Sequence, residues 1–327
     1  MVLRVGLIGC GEHSEIGHAV PWTRYAAERP GAIELAAVCD MRLERAEFFC
    51  RKYGFARSYR ALDEMLAREK LDVCISVVPV ELIPQVGIRL LQANLPCVVV
   101  EKPLGPSLSE VRKLTEAART TKTTNMVSVN RRFMPFLKRA LEWARNAGTL
   151  QYVHATMLRH QRTEADFLRY TAIHALDTVR FIAGEFSSLT IQALTPSSPR
   201  SYAIDVKFAS GAAGRVDVLP VAGVVEETYE LTGDGFRAVV TSPFGPQRLV
   251  RCYQRNQLVL EEMDANISED VIFGFYGEVA ELVDAMVQLR PPQPSIEDVF
   301  PSVQACFELA ERMEVSKYMG ARIGPQT

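Results

Sequence analysis

The chain has 327 residues, 48% of them apolar, and carries 37 basic against 39 acidic side chains for a net charge of −2 at pH 7. The length exceeds what one hydrophobic core usually organises, so two domains are expected, and the charge balance lacks the basic excess that binds a phosphate backbone, which argues against nucleic acid. Seven cysteines without a CxxC pair read as thiols acting as small hydrophobes, and no apolar run reaches the length of a membrane span, so a cytoplasmic protein in a reducing compartment is expected.

From residue 2 to about 124 short apolar runs alternate with helical stretches, the pattern of successive βαβ units. LRVGLIG, IELAAVCD, LDVCISVVP and PCVVVEKP are nearly continuous in Val, Ile, Leu and Cys, as strands buried on both faces are. LERAEFFCRKYG reads as a helix stopping at Gly54, and ELIPQVGIRLLQAN as one closing at Asn94 before Pro96. Right-handed crossovers then give an α/β unit with a doubly wound parallel sheet.

The first strand breaks into Gly9-Cys10-Gly11, with Ser14 where a dinucleotide fingerprint has its third glycine. Gly9 permits the tight turn, Gly11 lets the backbone approach a pyrophosphate at the helix N-terminus, and Ser14 can donate to phosphate. Asp40 ends the second strand, where a ribose hydroxyl would be met. It lies beyond the usual spacing because the GHAVPWTRYAAERPGA connection is long. A carboxylate there points to NAD, while Arg42, two residues on, keeps NADP open. A plain βα turn with a surface Asp is the competing reading. Leu7-Ile8-Gly9-Cys10 is not read as a lipoprotein cleavage box, since one basic residue and no separate apolar stretch precede it.

After about residue 125 the period changes, which sets the expected boundary between domains at 1–124 and 125–327. NRRFMPFLKRALEWARNAG reads as a helix ending at Gly148, YVHATMLRH as a strand and AIHALDTVRFIAG as a helix. Ile204, Val206 and Phe208 then alternate with Asp205 and Lys207, with turns at Ser210-Gly211 and Gly233-Asp234-Gly235, as in antiparallel sheet. Such a sheet needs cover on one face only. Apolar stretches such as VDVLPVAGVV (216–225) therefore suggest a homo-oligomer built on the open face. GEVAELVDAMVQL and IEDVFPSVQACFELAERMEVSK read as closing amphipathic helices around Pro291-Pro292.

Glu101-Lys102-Pro103 after a strand, VNRRF (129–133), IHALD (173–177) and YELTGDG (229–235) together resemble the glucose-fructose oxidoreductase, inositol dehydrogenase and rhizopine-catabolism family over essentially the whole chain. The resemblance implies an N-terminal dinucleotide-binding Rossmann domain, a C-terminal α/β domain with an open, mainly antiparallel sheet for substrate binding and oligomerisation, and a nicotinamide cofactor acting on a sugar or cyclitol. It implies cofactor contacts from Gly9, Gly11, Ser14, Asp40, Pro79, Glu101, Lys102 and Asn130. Lys102 would sit beside the reacting carbon, where an ammonium can hydrogen-bond a hydroxyl. His174 would meet the substrate hydroxyl that loses its proton, a task its ordinary pKa suits.

The chain also departs from the family. Tyr170 and Ala172 stand where an Asp and a Gly are common, and Ile83 where a histidine is. On a continuous helix Tyr170 and His174 would stand four apart on one face, making Tyr170 a candidate proton donor; packing in the pocket wall is the alternative. Asp177 would orient neighbouring elements. Arg131, Arg159, Arg162 and Arg169 make an anionic sugar conceivable. His13 and His18 flank the phosphate turn, His154 and His160 lie along one strand-like run, and no metal site is expected. The leading expectation is an NAD(P)-dependent oxidoreductase acting on a small sugar-like substrate. A dinucleotide-binding regulator and an NAD-dependent glycosidase are the alternatives.

Overall fold

The computed structural model describes residues 2–195, 200–263 and 266–320, which fall into two compact units. In the first unit, β1 (Leu3–Ile8), β2 (Ile33–Cys39), β3 (Arg57–Tyr59), β4 (Val73–Ser76), β5 (Cys97–Glu101) and β6 (Thr124–Ser128) form one parallel sheet in the order β3-β2-β1-β4-β5-β6. The order reverses at β1 and β4, and in such sheets ligands bind outside the strand C-termini at that point. The four long apolar runs are β1, β2, β4 and β5, buried almost throughout. Helix Leu43–Tyr53 stops at Gly54, whose left-handed backbone (φ +79°) lets its N–H reach the Cys50 carbonyl at 3.0 Å.

The expected boundary at residue 124 cuts through β6, which pairs with β5 along its length, so the first unit runs through Phe133. It also takes in Ser268–Phe300. Helix Phe275–Val287 supplies Val279, Leu282 and Val283 to the core formed by Leu7, Trp22 and Val99. The Val127 N–H donates to the Pro294 carbonyl at 2.8 Å, and Asn125 Oδ1 accepts from the Ile296 N–H at 2.8 Å.

The second unit comprises Met134–Ile267 and Pro301–Thr327. Its sheet contains β7 (Leu150–Leu158), β8 (Phe186–Ala193), β9 (Tyr202–Phe208), β10 (Ala213–Leu219), β11 (Glu226–Gly233), β12 (Phe236–Thr241), β13 (Leu249–Gln254) and β14 (Gln257–Met263), in the order β14-β13-β12-β11-β7-β10-β9-β8. Every pairing is antiparallel except β7 with β10. Helices Pro135–Ala147 and Ile173–Ala183 pack on one face, against inward residues such as Val153, Ala155 and Met157.

The other face differs from the expectation of an apolar surface. Val216 and Val218 point inward and are buried, while outward positions carry Arg215, Asp217, His154 and Asp205. Arg215 Nε donates to Asp217 Oδ1 at 2.8 Å, and His154 Nε2 lies 2.8 Å from Asp217 Oδ2. Strand alternation is the reason: a shift of one residue moves a side chain to the opposite face.

Candidate functional site

The loop after β1 is fixed by backbone geometry that only glycine accommodates at Gly9. Its φ is +87°, and a Cβ there would lie 2.0 Å from the Val77 carbonyl oxygen. The Gly9 N–H donates to the Cys39 carbonyl at 2.8 Å, tying the turn to the end of β2. Gly11 is different: its φ is −85°, and a Cβ would meet no atom within 4 Å. Its missing side chain leaves open space at a helix N-terminus without a side-chain cap, which fits a pyrophosphate approaching the backbone.

Asp40 follows β2 directly, and both of its carboxylate oxygens are held. Oδ2 accepts from the Cys10 N–H and Oδ1 from the Arg42 N–H, each at 2.8 Å. A carboxylate offers about four acceptor positions, so each oxygen keeps one for a further donor. The ribose-reading carboxylate thus stands pre-oriented beside the open glycine. Arg42 itself is exposed.

Three cofactor candidates are placed differently from the sequence expectation. Ser14 is fully buried, and its hydroxyl donates to the Gly9 carbonyl at 2.5 Å, so its proton stiffens the turn instead of meeting a phosphate. Glu101 is buried at the end of β5, with His18 Nε2 at 2.7 Å and His13 Nε2 at 3.2 Å from the same oxygen, Oε1. Burial alone would raise its pKa, but the two histidines hold it well below the usual carboxylate range. The charge of Glu101 in turn raises His13, against the opposing effects of burial, Lys102 and Arg131. Asn130 is also buried: Nδ2 donates to the Phe273 carbonyl at 2.8 Å, and Oδ1 accepts from Arg131 at 3.0 Å. Its amide therefore anchors the Asn130–Phe133 turn. Pro79 is exposed at the start of the short helix Val80–Leu82 that follows β4.

Lys102 follows Glu101 directly at the C-terminal end of the parallel sheet, half-buried, with a cis peptide bond to Pro103. Deeper in the first unit Glu278 is buried: Oε2 accepts from Ser128 at 2.8 Å, and burial together with the nearby Glu101 charge raises its pKa well above the usual range.

Tyr170 and His174 belong to the second unit. They do not share a continuous helix. Tyr170 ends the short helix Phe167–Tyr170, Thr171 and Ala172 form a turn, and His174 is half-buried in the first turn of helix Ile173–Ala183. The His174 N–H donates to the Thr171 carbonyl at 3.2 Å, a three-residue step that tightens the chain between the two side chains. The Tyr170 ring stands edge-on to Phe307, with centroids 6.3 Å apart. Asp177 is buried and accepts from the Ser302 hydroxyl at 2.8 Å, tying its helix to helix Ile296–Gly320. The four arginines that suggested an anionic sugar all have protein partners. Arg131 donates to Asn130, Arg159 to Glu227 and Arg169 to Asp166 and Glu314, and Arg162 is paired with Glu164.

Residues 3–130 match the model of a family described as an oxidoreductase family with an NAD-binding Rossmann fold. The chain is 28% identical over 202 residues to D-apiose dehydrogenase of Paraburkholderia graminis, covering 56% of this chain and 50% of that protein. It is 30% identical over 161 residues to D-glucoside 3-dehydrogenase of Escherichia coli, covering 49% of this chain and 44% of that protein. The chain thus spans half or less of these two relatives. A dehydrogenase from Chromobacterium violaceum shares the fold, with a TM-score of 0.84, 18% identity and 99% of both chains covered.

Proposed function

We propose that the chain, whose residues 3–130 match the model of an oxidoreductase family with an NAD-binding Rossmann fold, is a member of the glucose-fructose oxidoreductase, inositol dehydrogenase and rhizopine-catabolism family and acts as an NAD-dependent dehydrogenase or reductase. Its substrate is a sugar-like or cyclitol molecule, and the reacting centre is a carbinol or ketone carbon. The observation that carries the reading is the pairing of an open Gly11 with a locked Asp40 at the switch point of the parallel sheet. Two ribose hydroxyls can donate to the acceptor positions left on Asp40, whereas a 2′-phosphate would bring its charge against that carboxylate. NAD is therefore preferred over NADP. The names of the two sugar dehydrogenases matched in sequence support the substrate class.

Gly9, Gly11 and Asp40 hold the cofactor. When bound, NAD supplies or accepts the hydride. Lys102 donates a hydrogen bond to the substrate oxygen and stabilises negative charge that develops on it. His174 takes the hydroxyl proton in oxidation and returns it in reduction, near neutral pH. Tyr170 packs against Phe307. The protein acts as a cytoplasmic homo-oligomer through the open sheet face, with polar side chains such as Arg215 and Asp217 making the contact in place of an apolar patch; light scattering checks this, and a 36 kDa species at micromolar concentration contradicts the assembly.

Turnover of NAD(H) with a panel of aldoses, ketoses, glycosides and cyclitols tests the activity. Net formation or consumption of NADH is expected, and Lys102→Ala should lower kcat by roughly 10²-fold. Glycoside cleavage without net redox change would instead identify an NAD-dependent glycosidase. NADH binding without turnover would identify a regulator.

A further inference from the structure

The first unit contains a cluster that the proposed reaction does not use. His13 and His18 direct Nε2 toward the same Glu101 oxygen, at 3.2 and 2.7 Å, and the three donor atoms lie within 4.8 Å of one another. The local backbone explains how. Residues five apart on an α-helix stand about 140° apart and face different directions. Here the segment Glu15–Ala19 is a π-helical turn, whose repeat reaches to the fifth residue and brings His13 and His18 onto one side of the helix. Their rings meet edge to face with centroids 6.2 Å apart.

We propose that His13, His18 and Glu101 form a binding site for a divalent transition-metal ion, with zinc the best match. Two imidazoles and one carboxylate are a borderline donor set that suits zinc, and three protein ligands leave a fourth position for water or another oxygen. The His13 side chain is 51% exposed, whereas those of His18 and Glu101 are 5% and 6% exposed, so the open position lies on the His13 side. Tetrahedral zinc would hold its donors about 3.4 Å apart. The observed separations need to widen by only a few tenths of an ångström at His13 and somewhat more at His18.

Behind the cluster, His18 and Glu278 line a cavity of about 20 Å³, room for one water. Glu278 Oε1 accepts no hydrogen bond from any partner among the described residues. It offers an outer acceptor of the kind that commonly supports metal-bound histidine or water. Lys102 and Arg131 lie near enough to His13 to oppose added positive charge, which works against tight binding.

The test is titration of the metal-free full-length chain with Zn²⁺ by calorimetry and with Co²⁺ by visible absorption, neither of which depends on NADH binding or turnover. The expected result is one ion per chain and the intense visible bands of four- or five-coordinate Co²⁺. His13→Ala, at a half-exposed position that does not threaten folding, should weaken both ions at least tenfold, and His154→Ala in the second unit should leave them unchanged. No saturable binding up to about 1 mM, undiminished binding in His13→Ala, or the weak spectrum of six-coordinate Co²⁺ overturns the proposal.

Discussion

The two glycines of the turn make opposite demands, and substituting each by alanine separates stability from cofactor binding. In Gly9→Ala the new Cβ would sit 2.0 Å from the Val77 carbonyl oxygen, so that carbonyl must retreat by about 1 Å to reach the closest contact real Cβ atoms show. The Val77 N–H donates to the Ile8 carbonyl at 2.8 Å, so the retreat strains a bond between the ends of β1 and β4. A φ of +87° adds about 1–2 kcal/mol for any L side chain, and a lost backbone hydrogen bond about 0.5–1.5 kcal/mol. Gly9→Ala should therefore lose about 1.5–3.5 kcal/mol, or roughly 5–10 °C in Tm for a unit of this size. Gly11→Ala meets no atom within 4 Å at an ordinary φ, so it should lose less than about 1 kcal/mol, the usual cost of replacing Gly by Ala at an N-cap. Its methyl group occupies the space assigned to the pyrophosphate, and NADH affinity should fall at least tenfold, about 1.4 kcal/mol. Guanidinium denaturation followed by circular dichroism, together with NADH fluorescence titration, reads both quantities. A Gly11→Ala protein that binds NADH normally would refute the placement of the cofactor, and a Gly9→Ala protein of unchanged stability would refute the turn geometry.

Further predictions concern both units. Burial of Glu69 favours its neutral form, but hydrogen bonds from Arg57 and Tyr59 and the charge of Arg4 lower its pKa below that of an unfolded carboxylate, about 4.3. Its stabilisation is thus present above that value and fades as pH falls through the lowered one; Glu69→Gln should flatten the acid limb of a Tm–pH profile below about pH 4.3, and an unchanged limb would remove this assignment. Tyr170→Phe should keep kcat within about threefold, since the ring packs on Phe307; a 10²-fold loss would restore Tyr170 as a donor at the reacting oxygen. Asp177→Ala leaves the buried Ser302 hydroxyl without its acceptor and should cost about 1–3 kcal/mol in thermal or denaturant unfolding, with no loss showing that the contact carries little stability.

The parts of this fold legible in the sequence are those set by local chemistry. β1, β2, β4 and β5 are continuous apolar runs because both faces are covered, and Gly54 marks its helix end by a backbone conformation few other residues adopt. β3 is a three-residue polar edge strand, and β6 has a half-buried start, so neither shows a clear period. No local signal announces that residues 268–300 return to the first unit, since that depends on contacts such as Ser128 with Glu278, 150 residues apart. The same division holds at the site. Gly9, Gly11 and Asp40 follow from turn chemistry, but the engagement of Glu101 by His13 and His18 requires a π-helical turn and pairings across more than 80 residues. AIHALDTVRFIAG reads as a helix, but nothing local announces that just before it the Ala172 N–H bonds back to the Phe167 carbonyl at 3.1 Å, a five-residue step between Tyr170 and His174.

The most direct test of the central claim is the ratio of dissociation constants for NADH and NADPH on the unmodified protein, measured by fluorescence titration at fixed ionic strength. With Asp40 locked by the Cys10 and Arg42 N–H groups beside an open Gly11, NADH should bind at least tenfold more tightly than NADPH, a difference of about 1.4 kcal/mol. NADPH binding as tightly as NADH or more tightly, or no measurable binding of either, would contradict it.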